Sequence, residues 1–156
     1  MVNISEHLKE ERIILDLKAE TKEEAIKSLA EVFKGSREVN DFDKFLADVF
    51  EREDLGTTGI GLELALPHAR TDAVSSFIIA VGRIDKGVDF KSLDGEPVKL
   101  IFLMATPKEE VQNYLKILAH LTRLLKKESL RASLLEVKTP QEFIEIFRKE
   151  EEQELT

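Results

Sequence analysis

Val98-Lys99-Leu100-Ile101-Phe102-Leu103-Met104-Ala105-Thr106 runs nine residues with a single charge and ends at Pro107. A run this short and this apolar reads as a strand buried on both faces, because successive side chains point to opposite sides of a sheet and here neither side is polar. Pro107 stops it, since proline has no N–H to give a neighbouring strand. Ser76-Phe77-Ile78-Ile79-Ala80-Val81-Gly82-Arg83 has the same character. The two runs therefore predict the centre of a sheet with cover on both sides.

Working outward, the cover comes from helices. Thr21 followed by Glu24 is a capping box, in which the hydroxyl and the carboxylate each take a free amide at a helix start. A helix over 21–33 follows, with Ala25, Ile26, Leu29, Ala30, Val32 and Phe33 on one face and Gly35 as its stop. Asp41 caps a second helix whose Phe42, Phe45, Leu46, Val49 and Phe50 recur at spacings of three and four. A long helix is predicted over 109–126 and two more over 128–137 and 140–150, the last carrying Phe143, Ile146 and Phe147 inward. Glu150-Glu151-Glu152 reads as a solvated tail. Residues 3–8 suit one helical turn, 12–17 a first strand, 88–90 a short edge strand and 94–97 a turn. The fold class expected is α/β, a mixed β-sheet sandwiched by α-helices on both faces, formed by a single domain over 1–156.

Composition narrows the chemistry. Hydrophobic residues make up 42% of the 156, and no apolar run approaches the roughly 18 residues of a membrane helix. Met1-Val2-Asn3-Ile4-Ser5-Glu6-His7 lacks the charged-then-apolar pattern of a signal peptide, so the expectation is a cytoplasmic protein with no direct membrane insertion. The absence of cysteine removes disulfides, thiolate catalysis and the usual structural zinc sites, leaving histidine, carboxylates and hydroxyls. A net charge of −8 argues against a nucleic-acid binder and suits basic partners. Three scattered histidines without an HExxH spacing make no metal motif, and His7 is given no role.

Gly59-Ile60-Gly61-Leu62-Glu63-Leu64-Ala65-Leu66-Pro67-His68-Ala69-Arg70 holds the chemistry that remains. Leu64 and Leu66 alternate as a short strand that Pro67 ends, so His68 is expected at a strand end. A neutral imidazole in that position can be a nucleophile, or it can simply cap the strand by hydrogen bonding. The preceding Leu55-Gly56-Thr57-Thr58-Gly59 is rich in glycine and hydroxyls and can turn tightly and offer amides to an anion, although its spacing is neither a P-loop nor a dinucleotide fingerprint.

These residues resemble the type-2 enzyme IIA domains, fructose/mannitol class, of the phosphoenolpyruvate-dependent sugar phosphotransferase system. The family's signature is an acidic or amide residue, six free positions, an aliphatic, a small residue, two free positions, aliphatic-Ala-aliphatic-Pro-His and a small residue. Glu53, Ile60, Gly61, Leu64, Ala65, Leu66, Pro67, His68 and Ala69 stand at those places. Glu51-Arg52-Glu53 and the entry to the core strand, Asp94-Gly95-Glu96-Pro97-Val98, are similar to the family as well.

The resemblance implies a phosphocarrier in which His68 takes a phosphoryl group from an HPr-like protein and passes it to a IIB protein. It requires neither cofactor nor metal, because a loose phosphoryl transition state mainly needs its spread charge held by donors. The donors expected are the Arg52 guanidinium and the loop groups of Thr57, Thr58 and Gly59. Many members carry a second histidine opening the long helix; the matching place here is Tyr114, whose O–H can serve as a positioning donor. His120 lies six residues further along and on another face of the helix, so it is expected to be structural. Where members often have a polar residue and then glycine, this chain has Leu62-Glu63. Leu55, Ile60 and Leu62 are expected to form an apolar docking rim, with Glu53, Asp54, Glu63 and Asp72 as an acidic fringe for a basic donor. The chain has no IIB or membrane segment, so partners would be separate proteins. Two alternatives share the same residues: a nitrogen-type IIA protein acting on a regulatory target, and a binding module that has lost phosphoryl transfer.

Overall fold

Leu100, Phe102 and Met104 of the long apolar run face one hydrophobic core, while Ile101, Leu103 and Ala105 face another. That division, set by the period-two alternation of a strand, makes the sheet the middle of three layers. The structure is a computed structural model and describes residues 3–154; residues 1, 2, 155 and 156 of the expected domain lie outside the described residues.

Six strands and five α-helices are described: β1 (Ile13–Ile14), α1 (Lys22–Ala30), α2 (Phe42–Asp54), β2 (Gly59–Gly61), β3 (Leu64–Ala65), β4 (His68–Thr71), β5 (Ile78–Val88), β6 (Val98–Pro107), α3 (Val111–Leu125), α4 (Glu128–Glu136) and α5 (Pro140–Glu154). The sheet runs β1-β5-β6-β3-β2, and β4 also pairs with β6. β5 and β6 are antiparallel, whereas β3 and β4 lie parallel to successive parts of β6, so the sheet is mixed. Helices α1 and α2 cover one face and α3, α4 and α5 the other. Full burial of a side chain such as Phe102 or Leu103 stabilises by about 1.5–3 kcal/mol, and both cores are built of such residues. Gly82 allows α1 close: a Cβ there would stand 2.7 Å from Leu17 and 3.3 Å from Leu29.

The caps form as expected. Thr21 Oγ1 accepts from Glu24 N at 3.1 Å while the Glu24 carboxylate accepts from Glu20 N at 2.7 Å. Asp41 accepts from Lys44 N at 3.1 Å.

Several expectations are corrected. The first strand shrinks from 12–17 to Ile13–Ile14, because residues 10–12 wind into a 3-10 turn. No separate edge strand forms over 88–90; β5 continues to Val88, opposite Val98, after a register shift. His68 begins β4 instead of following a strand's end. Pro67 interrupts pairing along β6 for lack of an N–H, yet its carbonyl accepts from Met104 N at 3.0 Å, and pairing resumes at His68.

The largest correction concerns the C-terminus. Glu151 belongs to no solvated tail: it is 6% exposed, and α5 runs on to Glu154. Phe143, Phe147 and Glu151 lie four residues apart on one helix face. The Glu151 carboxylate accepts from Ile4 N at 2.7 Å and Ser5 N at 2.8 Å, and stands 2.7 Å from His120 Nε2. A buried carboxylate persists there because backbone amides and an imidazole replace its water.

Candidate functional site

His68, the first residue of β4, is 7% exposed and borders an open cavity of about 670 Å³. Its Nδ1 lies 2.6 Å from the Leu66 carbonyl oxygen. A carbonyl only accepts, so Nδ1 carries the proton and donates, which leaves Nε2 with its lone pair. Burial pushes the imidazole pKa below its ordinary value of 6.5; the contact to Leu66 works the other way, and the Arg52 charge lowers it further. The ring is therefore neutral at pH 7, the form that can attack an electrophile.

Arg52 comes from the last turn of α2, where a cation suits the negative end of the helix dipole. Its Nη1 donates to Gly56 O at 2.9 Å, fixing the guanidinium over the cavity rim. Tyr114, in the first turn of α3, lines the opposite element of the cavity, with its ring centroid 5.4 Å from that of His68. Burial raises the phenol pKa, opposed by the charges of Arg52 and Arg70, so the hydroxyl keeps its proton and can donate. The structure thus brings His68, Arg52 and Tyr114 to one cavity from a strand and two helices. His120, on the same helix as Tyr114, is turned away to Glu151 and the Arg123 guanidinium.

Thr57, Thr58 and Gly59 are not brought there. Thr57 Oγ1 donates to Phe90 O at 2.5 Å and accepts from Gly59 N at 3.0 Å. Thr58 donates its amide and its hydroxyl to the two oxygens of Glu53, at 2.9 and 2.5 Å. These donors are committed inside the loop and none of the three residues lines the cavity, so the structure does not bring them to His68. Glu53, the partner of Thr58, was expected on an acidic fringe but is only 4% exposed and stands 3.3 Å from Lys22.

The rest of the expected fringe and rim is also redrawn. Glu63 sits 3.3 Å from Lys99, and neither Glu63 nor Asp54 borders the cavity. Asp72 does border it, 3.5 Å from Lys44. Leu55, 82% exposed, remains on the rim, whereas Ile60 packs on the core and Leu62 lies at a hairpin tip away from the cavity. Val111 and Leu115 complete the apolar rim, because the start of α3 forms that wall.

Sequence reasoning passed over Arg70, Lys44 and Lys108, which also line the cavity. For Arg70 the signal was present: residues two apart on a strand share a face, and Arg70 is two beyond His68. Its guanidinium carbon lies 5.5 Å from the centre of the Tyr114 ring. Lys44 and Lys108 gave no comparable sign, since only the packing of α2 and of the β6–α3 connection delivers them. Among the described residues, no group of three or more histidine, aspartate or glutamate side chains is placed to hold a metal ion. Among them, too, no helix is long and apolar enough to cross a membrane.

With this geometry in place, comparison with known proteins is informative. A family profile described as phosphoenolpyruvate-dependent sugar phosphotransferase system, EIIA 2, matches residues 6–150. A PTS system fructose-specific EIIA component of Haloferax volcanii is 39% identical over 131 residues, covering 84% of this chain and 85% of that protein. The crystal structure of nitrogen regulatory protein IIA-Ntr from Neisseria meningitidis superposes with a TM-score of 0.85 at 29% identity, over 92% of this chain and 98% of that one. The IIA mannitol component of Escherichia coli, solved in complex with phosphorylated enzyme IIB, superposes with a TM-score of 0.79 at 26% identity, over 91% and 97%.

Proposed function

The chain belongs to the EIIA 2 family of the phosphoenolpyruvate-dependent sugar phosphotransferase system, and from that premise we propose that it is a cytoplasmic phosphocarrier, acting as one domain over 1–156, whose covalent intermediate is phosphorylated His68. The observation that carries the reading is the Nδ1–Leu66 hydrogen bond in a buried, neutral imidazole, which leaves Nε2 as the nucleophile.

Nε2 attacks the phosphorus of a phosphorylated HPr-like donor in line. The new N–P bond forms as the donor's bond to phosphorus breaks, and Nδ1 keeps its proton throughout. As the ring gains positive character, the Leu66 carbonyl holds that proton more strongly. Arg52 stabilises charge on the equatorial oxygens, and the Tyr114 hydroxyl donates to one of them. Reversal of the same step onto a IIB protein empties the site; the mannitol complex with phosphorylated IIB supports such a partner.

Incubation with phosphoenolpyruvate, enzyme I and HPr should add one phosphoryl group by mass, and His68→Ala should abolish the addition. Unchanged mass, or label that persists in His68→Ala, overturns the reading.

A second reading, regulation of a non-transport target by the phosphorylation state of His68, is favoured by the likeness to the nitrogen regulatory protein. Affinity capture from the source cell separates the two: a IIB protein supports transport, and a regulatory protein supports regulation. Retained partner binding without any phosphoryl uptake would instead mark a binding module that has lost transfer.

A further inference from the structure

Arg70 is exposed at the cavity, yet among the described residues it has no carboxylate partner. Acids are close by: Asp48 and Asp72 border the same cavity, but Lys44 stands 3.1 Å from the first and 3.5 Å from the second. Arg70 rests instead on the face of Tyr114, 5.5 Å from the ring centre, an attraction that holds a guanidinium without neutralising it. His68 and Arg70 are two residues apart on β4, hence on one face and about 6.6 Å apart along the strand. A cation fixed in direction, kept free of anions and placed one pleat from a nucleophilic imidazole is arranged for an anion that comes and goes.

Resting on the proposal that His68 carries a phosphoryl group, we infer that Arg70 is a second phosphoryl-holding residue, its guanidinium braced on the Tyr114 ring and directed at the oxygens of that group. Arg52 alone is a partial answer to the charge, because one of its N–H groups is committed to Gly56 O. Arg70 adds a planar fork of N–H donors that grips two phosphoryl oxygens at once, a geometry that lysine cannot reproduce. It donates hydrogen bonds only; the bond made is that between His68 Nε2 and phosphorus, the bond broken is the donor's bond to phosphorus, and no proton leaves Arg70. Tyr114 then has two jobs, a donor through its hydroxyl and a brace through its ring, and the charges of Arg52 and Arg70 both bear on it.

The test is single-turnover transfer from phosphorylated HPr to the full chain, for wild type, Arg70→Lys, Arg70→Gln, Tyr114→Phe and Tyr114→Leu. Arg70→Gln should slow uptake roughly 10²-fold, the usual effect of removing one charge-stabilising donor. Arg70→Lys should recover only part of the loss, and Tyr114→Leu should lose more than Tyr114→Phe, which keeps the brace. In parallel, inorganic phosphate is titrated against the His68 imidazole signals by NMR; binding in the wild type should weaken at least about tenfold in Arg70→Gln. Equal uptake by wild type and Arg70→Gln, or equal phosphate titrations, overturns the role of Arg70 and leaves the carrier function standing. A wild type that takes up no phosphoryl group, but whose phosphate titration still depends on Arg70, overturns the carrier function and keeps the anion contact.

Discussion

His68 Nδ1 and the Leu66 carbonyl oxygen are 2.6 Å apart across the proline that separates β3 from β4. One short contact thereby sets tautomer and ring orientation together and leaves Nε2 with its lone pair. It exists because Pro67 breaks the pairing along β6 and lets the chain turn the Leu66 carbonyl toward the ring two residues on.

The buried ring should titrate below 6.5, with burial as the main cause and the Arg52 charge adding to it. For a histidine whose folded pKa is depressed, the unfolded chain takes up the proton first, so stability falls as pH drops below 6.5 toward the folded pKa and is fully present above 6.5. Phosphoryl uptake should persist below pH 6.5 for the same reason. NMR titration of the imidazole checks this, and Arg52→Gln should move the midpoint upward.

Glu151 and His120 should act on stability and not on transfer. His120→Ala leaves a buried carboxylate without its imidazole, and Glu151→Ala strips two amides and His120 of their acceptor, each costing about 3 kcal/mol. Urea unfolding should show the two losses to be strongly non-additive, while uptake per folded molecule stays near wild type. A large loss of uptake in His120→Ala at full folding would place His120 in the site after all.

Glu53→Ala should destabilise by about 2–3 kcal/mol, because the buried Thr58 hydroxyl and amide lose charged partners. Uptake should fall too, since the same loop supplies Gly56 O to Arg52. Thr58→Val, which removes only the hydroxyl, should reduce stability less and spare uptake; a transfer rate that collapses in Thr58→Val would return that hydroxyl to the phosphoryl group.

Glu38 is held down to about 2 from 4.5, chiefly by a backbone hydrogen bond and then by Arg12. Its contribution is present above pH 4.5 and is lost as pH falls from 4.5 toward 2. Glu38→Gln should therefore lower stability at pH 7 and flatten the acid limb of a stability–pH curve. An acid limb unchanged from wild type would contradict this.

The layered fold and its caps were legible because their causes are local. Thr21 and Asp41 sit where a helix can begin, and the nearly continuous apolarity of residues 98–106 reads as a strand covered on both faces. His68 was legible through its signature, and Arg52 and Tyr114 through their places in the resemblance. The loop's internal bonding was not legible: glycine and hydroxyls after α2 look free for an anion, but Glu53, buried and steadied by Lys22 from another helix, takes the Thr58 donors, and Phe90 O takes the Thr57 hydroxyl. The acidic end of α5 was misread for the same reason, since nothing near Glu151 in the chain announces Ile4, Ser5 and His120.

By itself the sequence determined which segments alternate and which wind, and that a histidine follows a proline after a short alternating stretch. Tertiary structure alone decided which polar groups remain free to act. Periodicity and capping are energies between near neighbours, so they can be read along the chain. Whether Thr58 is spent on Glu53, or Arg70 rests on the Tyr114 ring, depends on how the layers bring distant residues together and exclude water between them.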